Sequence, residues 1–101
     1  MKLLRVSKSH RAGKKLVAVF DMGEGKTKET NFGAIKPNGT PYEDYTTHHD
    51  IERRARYRKR HEKDLKTNDP TRAGHLAYWI LWGDATNIAT NVLNYKKKFN
   101  L

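Results

Sequence analysis

The stretch DPTRAGHLAYWILWGD, residues 69–84, decides how the rest of the chain has to fold. Asp69 suits an N-cap and Pro70 the first helical position, where a missing N–H costs nothing, so the spacing predicts a helix over 70–82. That helix is apolar almost all round. Leu76 to Trp82 is an unbroken run of seven, the longest in the chain. A helix without a polar face belongs in the centre of a domain or against another chain. Gly83 ends it, and Asp84 stands where the cap of a following helix would be. In that next helix Ala85, Ile88, Ala89, Val92 and Leu93 recur at helical spacing, with Tyr95 and Phe99 beyond, the cleanest amphipathic pattern in the sequence. Residues 70–101 therefore read as a helical hairpin.

Working back towards the N-terminus, residues 2–7 and 15–20 are β-branched or apolar runs bounded by polar residues and read as strands. Gly13 lies in the hairpin loop between them, and residues 21–25 form a second turn. Residues 27–32 read as a third, polar edge strand whose lysines discourage edge-to-edge pairing. Residues 1–33 are thus a small meander, and 34–46, with Pro37, Asn38-Gly39 and Pro41, a loop. Thr47 is a candidate N-cap for a basic helix over 47–66, whose thin apolar face is Ile51, Ala55, Tyr57 and Leu65. The expected fold class is α+β, one domain: an antiparallel sheet of about three strands followed by about three helices. The sheet is expected to turn Leu4, Val6, Leu16 or Val17, and Ala18 or Val19 onto the helices.

Composition narrows the function. Of 101 residues, 21 are Lys or Arg and 11 Asp or Glu, a formal charge of +10. The charge is clustered. Six bases and no acid lie in residues 1–15, eight bases in 51–66, and three consecutive lysines at 96–98, around a middle segment (21–50) with six acids and three bases. Such asymmetry points to a polyanionic partner: an acidic protein face, nucleic acid or an anionic membrane surface. The length excludes a catalytic domain with a separate substrate domain beside it, and no apolar run approaches the 18 or so residues of a membrane span. With no Cys there is no disulfide framework, thiolate metal site or cysteine nucleophile. The expected setting is a reducing compartment or the inside of an assembled particle.

The most conspicuous motif is the run Arg53-Arg54-Ala55-Arg56-Tyr57-Arg58-Lys59-Arg60-His61. Six cations in eight helical positions repel one another, a cost that an anionic partner offsets. Arg53, Arg54, Arg56, Arg58, Lys59 and Arg60 are therefore the candidate contacts for an acidic protein face or phosphate. No Asn or Gln lies between residues 47 and 67, so sequence-specific base readout is not expected. Tyr78, Trp79 and Trp82 sit among aliphatic residues and read as core or interface anchors rather than base-stacking platforms. His48-His49-Asp50 reads as helix capping, because adjacent helical side chains point about 100° apart and do not converge on one ion. Gly25-Lys26-Thr27 is not a phosphate loop: Phe20 occupies the place of its first glycine, and a strand follows. No paired carboxylates and no nucleophile–base pair stand out, so neither an enzyme nor a cofactor is expected.

The segments 7–20, 27–34, 42–63 and 68–83 resemble a family of small basic proteins of unknown function encoded by nucleocytoplasmic large DNA viruses. The resemblance runs through a strand hairpin, the Phe32-Gly33 step and a D-[YF]-T-x-H-x-D helix start (Asp44 to Asp50). It continues through R-Y-x-x-R-H (Arg56 to His61) and T-A-G-x-x-x-x-W-x-L-W (Thr71 to Trp82). Two departures are Arg72, which separates Thr71 from Ala73, and the glycine-rich insertion at 23–25. The family offers no catalytic residues to carry over. What it implies is a virion component: a minor capsid or cement protein present in many copies and bound to other capsid proteins on the inner side of the shell. Before assembly it would occupy the host cytoplasm or nucleus. A genome-packaging protein that uses the same arginines on phosphate is the alternative, and contact with an internal membrane a third reading.

Overall fold

The computed structural model describes residues 1–101 and shows an α+β fold: a three-stranded antiparallel sheet, then helices. Strands β1 (Lys2–Lys8), β2 (Lys14–Gly23) and β3 (Lys26–Ala34) pair in chain order as a meander. The choice of inward face differs from expectation on β1. Leu3 pairs with Phe20, but the register then slips, so that Arg5 meets Val19 and Val6 meets Ala18. This β-bulge puts two residues three apart on one face, which an unbroken strand cannot do. Leu3 is therefore 2% exposed and Leu4 51% exposed. On β2 the inward set is Leu16, Ala18 and Phe20, paired with Phe32, Thr30 and Lys28 of β3.

The predicted helix 47–66 is three pieces. α1 (Tyr45–His48) starts inside the predicted loop, because Asp44 rather than Thr47 is its cap. The Asp44 carboxylate accepts the Thr46 N–H at 2.9 Å, and the Thr47 hydroxyl accepts the Asp44 N–H at 2.9 Å, a closed capping box. His49 adopts the left-handed conformation (φ 55°) and stops α1. Asp50 then caps α2 (Ile51–His61) by accepting the N–H groups of Glu52 and Arg53. The Arg53 N–H bond is the main reason the Asp50 carboxyl is held below its usual range. Glu62–Thr67 continues as a 3-10 turn. This re-aiming leaves Ile51 (68% exposed) and Ala55 in solvent, contrary to expectation, while Tyr57 stays on the body.

Asp69 does not cap a helix either. It accepts the N–H and hydroxyl of Thr71 in an Asx turn, and the hydroxyl bond is the chief cause of its lowered pKa. The central helix begins later as α3 (Ala73–Leu76) and widens into a π-helix over Ala77–Leu81, closed by the Trp82 N–H on Ala77 O at 3.1 Å. Asn87, not Asp84, caps α4 (Ile88–Lys98). The core joins the inner sheet face to these helices through Leu3, Phe20, Phe32, Leu76, Ile80 and Tyr95. Within α4 the predicted stripe holds at Ile88 and Val92, but Ala89 and Leu93 face out. No helix is long and apolar enough to cross a membrane.

A polar pair sits inside the core. Tyr95 donates its hydroxyl proton to Pro70 O at 2.7 Å, so it accepts from an Nδ1–H of His75 at 2.6 Å. Burial lowers the His75 pKa below its ordinary 6.5 and raises that of Tyr95. Below about pH 6.5 an unfolded His75 takes up a proton that the folded ring refuses. Stability is therefore full above that pH and falls as acid is added through the folded pKa. Urea midpoints measured at pH 7.5 and 5.5 should show a lower value at 5.5, with the His75 ring signal titrating below pH 6.5.

Candidate anion-binding cleft

The six basic residues on α2 fall into distinct sets. Arg54 and Arg58, one turn apart, are turned into the body. Arg54 Nε donates to Gly83 O at 2.7 Å and its terminal nitrogen meets Asp84 Oδ1 at 2.6 Å, with the guanidinium over the Tyr45 ring. Arg58 lies over the rings of Tyr78 and Trp79 and within 3.4 Å of the same Asp84 oxygen. These two fasten α2 to the 83–84 corner. Lys59 is exposed on the outer side with Ile51 and Ala55.

Arg53, Arg56, Tyr57 and Arg60 occupy positions i, i+3, i+4 and i+7, the stripe that an ordinary amphipathic helix fills with apolar residues. Here it forms one wall of a cleft of about 420 Å³. The opposite wall is Lys15 of β2, Gly33 and Ala34 of β3, and Tyr42, Glu43 and Asp44 of the loop; Ala77, Leu81 and Trp82 complete the lining. That three residues of the central helix reach one cleft is a consequence of the π turn. In an α-helix Trp82 would stand about 140° round from Ala77; the wider turn brings the two together.

Inside the cleft, Lys15 Nζ lies 2.7 Å from Asp44 Oδ2, with side-chain exposures of 15% and 4%. Arg53 meets Glu43 at 3.0 Å, but this pair is exposed, at 43% and 59%. Neither Arg56 nor Arg60 has a carboxylate within ion-pair distance. Each acid of the cleft is thus matched, and two guanidinium groups are left over. Beside them His61, Tyr57 and Trp82 form a stack, with ring centroids 4.2 Å apart at both steps. His61 and Trp82 cover opposite faces of Tyr57. Burial, and next the charge of Asp64, push the Tyr57 hydroxyl up to about 12, so it keeps its proton.

The other singled-out residues lie apart from the cleft or beneath it. Tyr78 and Trp82 are each 8% exposed and belong to the packed interior. Trp79 is half-buried between the cations of Arg58 and Lys98, and its indole N–H has no partner. His48 accepts the Asp50 N–H on Nδ1, and His49 Nε2 faces Thr46 O, so their rings serve different local bonds. Lys15, Gly33, Glu43 and Asp44 were not foreseen as site residues. For Asp44 a signal was present in the D-x-x-T spacing of a capping box. A lone lysine in an apolar strand gave no comparable sign.

Sheet, loop and basic helix together make a small α+β domain with a recess of about 420 Å³ rimmed by cations and backed by a ring stack. Residues 4–61 match a family described as a family of unknown function (DUF5754), and since they are more than half of the chain, the protein belongs to that family. The matched stretch takes in the sheet, α1 and α2, and stops at the last residue of α2. No curated protein and no solved structure matches the chain.

Proposed function

We propose that the protein is a non-catalytic structural component of a virion, a minor capsid or cement protein of a large icosahedral DNA virus. It binds acidic faces of other capsid proteins through α2, in many copies, so that weak individual contacts suffice through avidity. The viral setting rests on the resemblance carried by residues 7–83. The mode of attachment rests on one observation: Arg56 and Arg60 face an open cleft without acidic partners on a chain of charge +10. The aromatic-rich central helix contributes mainly from within, through Trp82 behind the cleft, and at the surface only through Trp79.

The nucleic-acid alternative draws on the same charge but has less geometric support. Two of its arginines are spent on Gly83 and Asp84, and both faces of Tyr57 are covered, which removes a stacking platform. The direct test is to fractionate purified virions into shell, membrane and genome core and quantify the protein in each. Recovery with the empty shell is expected. Recovery with the genome core, released by nuclease or by salt with the steep dependence of phosphate contacts, would overturn the reading. Arg56→Glu with Arg60→Glu should abolish incorporation into particles, while the folded state, checked by circular dichroism, survives. Arg58 is unsuitable for this purpose, because reversing its charge would also break its contacts with Asp84, Tyr78 and Trp79.

A further inference from the structure

We propose that the cleft is a socket for one short acidic segment of a partner protein, and that Glu43 occupies part of it as a built-in competitor. The proposal rests on the reading above and specifies its contact. Arg56 and Arg60 stand one helical turn apart on the same wall, so an incoming segment with two carboxylates meets two forked donors. A cavity of about 420 Å³ is within the range of about 300–1,000 Å³ typical of ligand sites and far too confined for a duplex.

The chemistry of the rim selects the occupant. Tyr57 offers a nucleobase no face to stack on, since it lies between His61 and Trp82. A second copy of this chain is disfavoured by the mutual repulsion of two +10 molecules. An acidic peptide needs only the donors present. The Tyr42 ring, 52% exposed at the cleft's edge, adds apolar surface for its backbone.

The two resident ion pairs then have different roles. Lys15–Asp44 is buried and caps α1, so it is a fixed part of the wall. Arg53–Glu43 is exposed on both sides, and such solvent-screened pairs contribute little, so a partner carboxylate displaces Glu43 at little cost. Removing the Glu43 charge should free Arg53 as a third donor and tighten binding.

The test uses the full chain and an acetylated, amidated peptide of alternating aspartate and glutamate, titrated by calorimetry and by NMR, with a single-stranded thymidine oligonucleotide in parallel. The expected result is peptide binding that perturbs Gly33, Ala34 and the Trp82 indole. It weakens about tenfold or more in Arg56→Gln with Arg60→Gln, changes less than about twofold in Lys63→Gln with Lys66→Gln, and strengthens a few-fold in Glu43→Gln. A folded spectrum of each variant excludes loss by unfolding, and Arg56→Lys with Arg60→Lys, which keeps the charge and loses the fork, should fall between. Equal losses in the cleft and Lys63/Lys66 variants would overturn the socket yet leave docking by general charge intact. Unchanged affinity in Glu43→Gln would overturn the competitor role. No peptide binding overturns the socket, and if the oligonucleotide binds instead, the proposed function falls with it.

Discussion

Asp44→Ala should lower the unfolding free energy at pH 7 by about 3–5 kcal/mol, read from urea or guanidinium unfolding. Two losses combine. The substitution strands Lys15, whose side chain is 15% exposed and whose only ion-pair partner is Asp44. An ammonium group with so little contact with water is costly once its counter-charge is gone. The cap of α1 disappears as well, a loss of about 1 kcal/mol in its own right. Against a total stability of about 5–15 kcal/mol, that loss is a large fraction of the margin. The reverse deletion should be milder, because in Lys15→Met the Asp44 carboxylate keeps its bonds from the Thr46 N–H and hydroxyl. Lys15→Met with Asp44→Asn should recover part of the loss, since a buried pair replaced on both sides leaves no stranded charge. A double-mutant cycle with no coupling between positions 15 and 44 would overturn this account.

Gly83→Ala should be comparably severe, with a loss of about 3 kcal/mol or more. Its cause is contact rather than backbone angle. A β-carbon at this position would lie 2.1 Å from the Trp79 carbonyl oxygen and 2.9 Å from the Asn91 side chain. Neither obstacle can give way cheaply. Trp79 O belongs to the π turn. Asn91 is 1% exposed and holds the corner with three bonds, two from Nδ2 to Ile80 O and Ala85 O at 2.8 Å and one to Oδ1 from the Ala85 N–H at 2.9 Å. Overpacking against flexible side chains costs about 1–3 kcal/mol; against a main-chain oxygen it should reach the top of that range or pass it. For a domain of this size about 3 kcal/mol corresponds to roughly 12–24 °C in Tm. The near-ultraviolet circular dichroism should change too, because Gly83 O holds Arg54 and adjoins Trp82, which stacks on Tyr57. A variant with native Tm and native aromatic spectrum would mean that the π turn is not required as drawn.

Both predictions fall where sequence reading was weakest. Gly83 was legible as a helix stop, but the sequence does not show that the preceding turn is π rather than α; the difference lies in which carbonyl the Trp82 N–H selects. Asp44 lay inside a segment dense in turn residues, and its own capping spacing was outweighed by Pro37, Asn38-Gly39 and Pro41 nearby. Thr47 then served as cap in the sequence reading, whereas it is the N3 member of a box that starts three residues earlier. Leu3 and Leu4 could not be ranked by pattern, because alternation fails wherever a bulge inserts one residue.

What the sequence by itself determined is the order and kind of elements and the placement of charge. Strand alternation, turn glycines and helical spacing act over a few residues, so an α+β chain with a meander first, a basic helix next and a buried aromatic helix after it follows from local physics. Only the tertiary structure decided which cations are free. Arg54 reaches Gly83, 29 positions away, and Asp44 reaches Lys15, also 29 positions away. Such contacts form only once the sheet and helices have packed. In a run of six cations that looks uniform, they consume Arg54 and Arg58 and leave Arg56 and Arg60 facing an open cleft, because a guanidinium is neutralised by whatever oxygen the fold brings beside it, and local spacing carries no record of that oxygen.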